Sequence, residues 1–241
     1  MLFAAKHSSE ASKVRERTIL LITLLGLGLL AVGVAVVVVV EPLPEIATVE
    51  AQVLSQGLKI FFGIAAVVFL GVEGLLVFAS VRGHLQGKSQ AQVSSGLEMV
   101  WIGLPAVLVA VIVIYSVNLL SDIEAPASDA MVVTVTARQF EWEFYYVDAA
   151  VSSDTLVLPV GKPVELLFTS ADVIHSFWVP AFGEKIDAVP DMVTSLTVTP
   201  LKTGIFRGVC AELCGAGHET MQADVLIQDP AVFEAWLTSS R

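Results

Sequence analysis

Residues 131–147 read MVVTVTARQFEWEFYYV, two short runs rich in Val, Thr and aromatic residues with a polar break between them. Runs of this length and composition are typical of β-strands. Similar runs, with turn residues between them, follow at 155–158, 164–169, 193–199 and 204–210. The pattern predicts an all-β sandwich or barrel over residues 131–241. It ends in a predicted short helix, 231–238, with Asp229 as its N-cap and Pro230 as its first residue.

The N-terminal half contains three long apolar stretches, Thr18 to Val40, Ile60 to Val81 and Met99 to Leu120. At about 1.5 Å per residue, each is long enough to cross a bilayer as a helix. Basic residues precede the first stretch and lie between the second and third, so the positive-inside rule places both segments in the cytoplasm. The residues after the third stretch are therefore expected outside the cytoplasm.

The first apolar stretch has two interpretations. A basic start followed by an apolar run is typical of a secretory signal peptide. A run of 23 uncharged residues is also long enough for a retained membrane helix. The sequence leaves both open, and either one puts the C-terminal half on the outer side of the membrane.

These patterns predict four parts. Residues 1–59 hold the basic N-terminus, the first apolar segment and an outer loop, and residues 60–120 form a two-helix transmembrane hairpin. Residues 121–130 are a linker to an extracytoplasmic domain at 131–241. The chain is 55% hydrophobic and only 15% charged, against about 25% charged in soluble domains, which favours an integral membrane protein in contact with lipid.

The net charge of −11 lies entirely in residues 120–241. Nucleic acids are bound through Lys and Arg, so a nucleic-acid partner is excluded from the expected functions. An acidic domain either attracts a basic protein partner or serves solubility, and the sequence does not separate the two.

Candidate metal ligands are concentrated in two segments, VIHSFW at 173–178 and CAELCGAGHETM at 210–221. Together they offer thiolate, imidazole and thioether groups, which favour copper. Calcium prefers oxygen ligands, and Met is not a usual zinc ligand. A mononuclear blue-copper site uses one Cys, whereas two thiolates can bridge two copper ions that each keep one His. A disulfide between the two cysteines is the alternative in an oxidising compartment.

The segments HSFWVP at 175–180 and CAELCGAGHETM at 210–221 resemble the dinuclear CuA site of subunit II of cytochrome c oxidase. The resemblance extends to LEMVW at 97–101, QFEW at 139–142 and KIDAVP at 185–190. It covers roughly residues 60–241. It implies a membrane α-helical hairpin, preceded here by an apolar helix or signal segment and followed by a cupredoxin-like Greek-key barrel.

The resemblance implies a role for each candidate ligand. Cys210 and Cys214 would bridge both copper ions through their sulfurs. His175 and Met221 would complete the coordination of one copper.

His218 and the backbone carbonyl of Glu212 would complete the other copper. The Glu212 carboxylate would bind a Mg²⁺ ion shared with subunit I. By the same resemblance, Glu98 would lie at the mouth of a proton pathway. Phe140 and Trp142 would lie near the point where electrons enter.

The implied function is that of an electron-accepting subunit in a proton-pumping haem–copper oxidase. Electrons from a soluble donor such as cytochrome c would reach CuA and then haem in subunit I, where oxygen is reduced to water. Subunit III is a further expected partner, and this chain carries no oxygen chemistry itself. One alternative is the same module in a nitric-oxide-reducing haem–copper enzyme. Another is a membrane-anchored copper chaperone or thiol reductant, for which a thioredoxin-like α/β pattern is expected.

Two positions depart from the pattern of the family. Phe140 stands where many members have Trp, and Asp191-Met192 stands where Gly-Arg is usual. Glycine suits a turn with positive φ, and aspartate can replace it there. The sequence leaves open the effect of Asp191-Met192 and the route of the electron at Phe140.

Overall fold

The computed structural model describes residue 20 and residues 24–86, 94–123 and 129–241. The chain divides into two compact units. The first comprises Met1–Glu41 and Leu58–Trp101, and the second comprises Pro42–Gly57 and Ile102–Arg241. The helices in the described ranges are α1 (Leu24–Val39), α2 (Val49–Gln86), α3 (Ser95–Ile123) and α4 (Pro230–Ser239).

Helices α2 and α3 are long and apolar enough to cross a membrane. Their spanning segments, Val49–Ala79 and Glu98–Ser121, contain 31 and 24 residues. Only 6% and 0% of their most apolar windows are buried inside the protein, so neither is the core helix of a soluble domain. The two predicted membrane helices are thereby confirmed. Helix α3 continues to Ile123, past the predicted start of the linker, and residues 124–128 lie outside the described ranges.

Helix α2 begins at Val49, inside the segment that the sequence predicts as an outer loop. The Thr48 hydroxyl accepts a hydrogen bond from the Ala51 N–H at 3.2 Å and caps the helix. The Glu50 carboxylate accepts another from the backbone N–H of Thr199 at 2.9 Å. Thr48 and Ala51 are fully buried. The early start therefore depends on contacts with a distant part of the chain, which the local sequence pattern does not reveal.

Helix α1 packs closely against α2. A Cβ atom at Gly33 would lie 2.5 Å from the Val67 side chain, and one at Gly63 would lie 2.6 Å from the Val37 side chain. Just after α1, the Glu41 carboxylate pairs with the Lys59 ammonium at 2.7 Å. The described part of the first predicted apolar stretch is therefore a helix packed against its neighbour. Residues 18, 19 and 21–23 of that stretch lie outside the described residues.

Ten strands and helix α4 make up residues 129–241, all of which the structure describes. The strands are β1 (Met131–Arg138), β2 (Glu141–Tyr146), β3 (Val151–Ser153), β4 (Leu156–Pro159), β5 (Val164–Ser170), β6 (His175–Trp178), β7 (Lys185–Ala188), β8 (Thr194–Val198), β9 (Gly204–Cys210) and β10 (Gln222–Gln228).

The strands form two five-stranded sheets, ordered β3-β2-β1-β5-β8 and β4-β10-β9-β6-β7. The pairs β1/β5 and β4/β10 are parallel, and the other pairs are antiparallel. Alternate residues of β1 and β5 are buried, as expected for sheets that each turn one face inward. The result is the predicted β-sandwich of cupredoxin type. All six strands predicted from composition are present, whereas β3, β6, β7 and β10 were not predicted as strands.

Phe177, in the middle of β6, connects the two sheets. Its ring contacts Trp142, Phe144 and Phe168, all from the other sheet, at centroid distances of 4.9, 6.0 and 5.5 Å. The side chain is 1% exposed. Because Phe177 lies two residues after His175, core packing fixes the strand that carries this histidine.

Tyr146, the last residue of β2, links the sheets by a polar contact. Its hydroxyl donates to the Val157 carbonyl at 2.9 Å and accepts from the Val157 N–H at 2.6 Å. Burial raises the pKa of Tyr146 well above its usual value near 10, although the hydrogen bond from Val157 lowers it slightly. The neutral phenol is therefore the form that the folded state stabilises.

We expect Tyr146→Phe to lower the free energy of unfolding by about 1–3 kcal/mol, because both backbone groups of Val157 lose this partner. The folded state holds the phenol proton more tightly than the unfolded state. Wild-type stability should therefore fall as the pH rises above about 10, and this dependence should shrink in the variant. Thermal unfolding midpoints measure both effects, with Tyr145→Phe as the control because Tyr145 is 39% exposed. Equal midpoints for the two variants would contradict the prediction.

Asp191 lies in a turn with φ of +60°. This region strongly favours glycine, and Asp is among the few other residues that enter it. Aspartate thus occupies a turn with positive φ, the conformation that glycine adopts most readily. The neighbouring Met192 side chain is exposed, so the loss of arginine at this position leaves an apolar group on the surface.

Candidate metal centre

Two neighbouring strands bring the first ligand candidates together. Strands β6 and β9 are antiparallel, and Phe177 pairs with Cys210. His175 is the first residue of β6 and Cys210 is the last residue of β9. Because the two strands are antiparallel, both residues lie at the same end of the sheet. The His175 side chain is fully buried and Cys210 is 7% exposed.

The remaining candidates lie on the loop 210–221 that joins β9 to β10. The Cys210 N–H donates to the Met221 carbonyl at 3.0 Å and closes the loop at its base. The Ala211 N–H donates to the Ser176 carbonyl at 2.8 Å, which attaches the loop to β6. A 3₁₀ turn at His218–Thr220 directs the chain back towards Met221. The loop is thus held at both ends and folded inward between them.

Four donor atoms surround the two cysteine sulfurs, which makes six possible metal ligands in all. The Cys210 Sγ lies 3.9 Å from His175 Nδ1 and 3.2 Å from the Glu212 carbonyl oxygen. The Cys214 Sγ lies 3.7 Å from His218 Nδ1 and 3.8 Å from Met221 Sδ. The ligand atoms of His175, Cys210 and Cys214 all lie within 4.8 Å of one another. The structure therefore brings together every side chain that the sequence singled out as a copper ligand.

The distance between the two sulfurs suits a shared metal. They are 3.9 Å apart, and both cysteines are free thiols. With a metal–sulfur bond of about 2.3 Å, two sulfurs on one ion are separated by at most about 4.6 Å. The observed spacing lies within that limit, so both sulfurs can bind the same ion.

The Cys214 thiol is stabilised in its neutral form when no metal is bound. Burial raises the pKa of Cys214, and the neighbouring Cys210 raises it further. Thiolates are the metal-binding form, so an ion that binds here displaces thiol protons. The raised pKa disfavours Cys214 as a nucleophile, and its site is suited to hold a metal that supplies compensating charge.

Asp172 orients His175, although no sequence motif marked it as a candidate. Its Oδ1 lies 2.8 Å from His175 Nε2. Partial desolvation opposes ionisation, but hydrogen bonds from His175 and from the backbone N–H groups of Gln139 and Val173 lower the pKa of Asp172 to about 2. An ionised carboxylate only accepts, so Nε2 carries the proton and the Nδ1 lone pair faces the sulfurs. The spacing Asp-x-x-His was the available sequence signal.

Phe140 packs on the ligand loop, whereas Trp142 packs on His175. A Cβ atom at Gly217 would lie 2.5 Å from a Phe140 ring carbon, so this ring rests directly on the loop backbone. Phe140 is 36% exposed, whereas Trp142 is 3% exposed. The Trp142 ring contacts the His175 ring edge to face at 6.1 Å. Phe140 is thus the aromatic residue that joins the ligand loop to the surface.

The two acidic candidates differ from the cluster in their surroundings. The backbone carbonyl of Glu212 faces Cys210, but its side chain is exposed. Glu98 lies in the first turn of α3 and is also exposed. Its place in the first turn suits the positive end of the helix dipole.

Similar proteins identify the family. The family described as "Cytochrome C oxidase subunit II, periplasmic domain" matches residues 131–228. A "Cytochrome c oxidase subunit 2" of Thermostichus vulcanus is 28% identical, with 80% of this chain and 77% of that protein aligned. An "Alternative cytochrome c oxidase subunit 2" of Bradyrhizobium diazoefficiens is 29% identical, with 78% and 80% aligned.

Among solved structures, the periplasmic domain of subunit II of cytochrome oxidase (CoxB) of Bradyrhizobium japonicum is 31% identical. The match covers 48% of this chain and 95% of that domain, with a TM-score of 0.46. The family match covers the sandwich that holds the ligand cluster, and the two relatives align over most of their length with the helices included. The chain therefore belongs to the cytochrome c oxidase subunit II family.

Proposed function

We propose that this chain is the electron-accepting subunit of a terminal haem–copper oxidase and holds a dinuclear copper centre of the CuA type. The observation that carries the proposal is the cluster of four donor atoms around two free thiols, six possible ligands in all. A tetrahedral mononuclear site uses four donors. Six donors, two of them sulfurs that can be shared, suit two ions better than one.

The donors divide into two sets that each suit one copper. His175 lies beside Cys210 and Met221 beside Cys214, on opposite sulfurs. The Glu212 carbonyl and His218 are placed in the same way for the second ion. Imidazole, thiolate and thioether are the ligand types that copper prefers. Bound copper would supply a reversible one-electron change at this position.

The residues of the chain would hold the ligands still during that change. Asp172 fixes the ring of His175. The loop is fixed by the backbone hydrogen bonds from Cys210 to Met221 and from Ala211 to Ser176. Because the ligands cannot move, the reorganisation energy of electron transfer would be small. The apolar packing of Phe177 and Trp142 behind the site excludes water and would tune the potential.

Electrons would enter at the exposed edge of Phe140, which touches the loop backbone beside His218. The acidic charge of residues 120–241 would attract a basic soluble donor such as cytochrome c, chiefly by raising the association rate at low salt. Glu98 would serve a proton pathway. The Glu212 carboxylate would bind Mg²⁺ at the contact with subunit I, where the electrons reduce oxygen, and subunit III would complete the complex.

The final electron acceptor needs a direct test. We expect the tagged chain to co-purify with a haem-containing catalytic subunit that consumes oxygen when reduced cytochrome c is supplied. Oxygen uptake and nitric oxide consumption are measured on the same preparation. Nitric oxide consumption without oxygen uptake would assign the module to a nitric-oxide-reducing enzyme instead.

The fold argues against a copper chaperone or thiol reductant of thioredoxin type. That function predicts alternating strands and helices, whereas residues 131–228 consist of strands, short 3₁₀ turns and loops. The raised pKa of Cys214 also disfavours a reactive thiol. One copper per chain, with the thiols still free to react, would revive that function.

We expect the mature subunit to retain α1 as a third membrane helix, with the copper domain on the extracytoplasmic side. The close approach of Gly33 to Gly63 and the pairing of Glu41 with Lys59 are contacts that a cleaved leader does not need. Intact-mass spectrometry of the purified subunit measures this. A mass that corresponds to an N-terminus beyond residue 40 would show that α1 is a signal segment.

We expect Asp172→Asn to weaken copper binding about 10- to 100-fold, the usual effect of removing the carboxylate partner of a ligating histidine. The asparagine amide has no negative charge and can turn its NH₂ group towards His175. That orientation favours the tautomer with the proton on Nδ1, which cannot bind a metal through Nδ1. Competition with a copper chelator measures the affinity, and Asp187→Asn is the matched control. Affinities that agree within twofold for the two variants would contradict the role of Asp172.

A further inference from the structure

Gln139 contacts both segments that carry the ligands. It lies in the two-residue turn between β1 and β2. Its side-chain Nε2 donates a hydrogen bond to the backbone carbonyl of Cys214. Its own backbone N–H donates to Asp172 Oδ2 at 2.7 Å, and Asp172 Oδ1 bonds His175 Nε2. One residue thus connects the cysteine loop to the histidine segment.

The amide of Gln139 occupies a space that the loop leaves open for it. Gly215, directly after Cys214, has φ of +146°. A Cβ atom at Gly215 would lie 2.6 Å from the Gln139 Nε2. The loop therefore bends with a glycine where the glutamine side chain reaches over it to the Cys214 carbonyl.

This contact acts on the backbone of a ligand and not on its sulfur. The peptide that follows Cys214 is held by a donor from another hairpin, so the Cα–Cβ direction of Cys214 is fixed before any ion binds. The Cys214 Sγ lies 3.9 Å from Cys210, 3.7 Å from His218 and 3.8 Å from Met221. A rotation of this one residue changes three ligand spacings together.

We propose that Gln139 is a positioning residue that fixes Cys214 relative to His175 and so sets the symmetry and retention of the copper centre. The inference rests on the proposed copper-binding function. It assigns to Gln139 a task separate from electron entry at the adjacent Phe140. Glutamine supplies both the length to reach the carbonyl and the N–H that it needs.

The test compares Gln139→Glu and Gln139→Leu in the full chain, purified in detergent and loaded with copper. Glutamate keeps the shape but places an acceptor against the Cys214 carbonyl, and leucine removes the hydrogen bond. Gln228→Leu is the matched control, since Gln228 is the last residue of β10 and lies at the opposite end of that strand from the loop. Electron paramagnetic resonance reports how equally the two coppers share the unpaired electron, and a chelator reports the rate of copper loss.

We expect both Gln139 variants to show an altered, less symmetric copper splitting and to lose copper at least about tenfold faster than wild type. The thermal midpoint of the metal-free chain should stay within about 2 °C, the shift expected for less than about 1 kcal/mol. Unchanged spectra and rates would overturn the inference, and so would a large fall in the metal-free midpoint, which would indicate a role in folding. A wild-type chain without a dinuclear signal would instead refute the proposed copper function.

Discussion

Replacing Cys214 with serine is expected to abolish the dinuclear centre and electron acceptance with it. The Cys214 Sγ lies 3.7 Å from His218 Nδ1 and 3.8 Å from Met221 Sδ. Serine offers a hard hydroxyl that stays protonated at neutral pH, which copper does not prefer. Removing a side chain that hydrogen-bonds a metal ligand usually lowers metal affinity or activity about 10- to 100-fold. Removing a bridging ligand itself should therefore lower the rate of donor oxidation by more than about 100-fold. Stopped-flow oxidation of reduced cytochrome c by the assembled enzyme measures the effect.

Leu213→Ser is the matched control for this variant. Leu213 precedes Cys214 in the same loop, but its side chain is 78% exposed. We expect the control to keep its copper and its turnover, and both variants to insert into the membrane. Normal donor oxidation by Cys214→Ser would contradict the proposed function.

Replacing Gly217 with alanine is expected to disrupt the ligand loop through Phe140. The new methyl group would lie 2.5 Å from one carbon of the Phe140 ring and 2.8 Å from two others. Either the ring or the loop between Cys214 and His218 must then move. We expect copper affinity to fall at least tenfold, a change of about 1.4 kcal/mol, as measured by chelator competition.

A second substitution separates the two outcomes. Phe140→Ala alone should keep copper affinity but slow donor oxidation, because the exposed aromatic contact is lost. The double variant Gly217→Ala/Phe140→Ala should recover copper affinity, because the group that clashes is absent, and should remain slow. A Gly217→Ala chain with wild-type affinity would show that close packing of Phe140 on the loop is not required.

The parts of the fold that sequence predicts are those set by local pattern. Strands β1, β5 and β9 carry enough β-branched and aromatic residues to be recognised alone, and the apolar length of α2 and α3 is unmistakable. Strands β6 and β7 have four residues each, too few for alternation to be recognised. The start of α2 at Val49 depends on the cap from Thr48 and on contacts with residues distant in sequence, such as Thr199. The local sequence does not contain those contacts and therefore predicts a loop there.

The ligand cluster was predictable because four of its members lie on one loop with fixed spacing, and His175 lies in a motif of its own. The residues that position those ligands were harder to recognise. Asp172 and Gln139 act through hydrogen bonds between hairpins that are distant in sequence. The close contact of Gly217 with Phe140 is likewise a tertiary feature that the local sequence does not reveal.

Electron paramagnetic resonance of the full chain, loaded with copper in detergent and mildly oxidised, decides whether the chain holds a dinuclear copper centre. The full chain is used because residues 42–57 belong to the same compact unit as the copper domain. A signal split by two equivalent copper nuclei, with two coppers per chain, is the predicted result. A signal from a single copper nucleus, or no signal while both thiols remain reactive, would contradict the dinuclear centre and the electron-transfer function built on it.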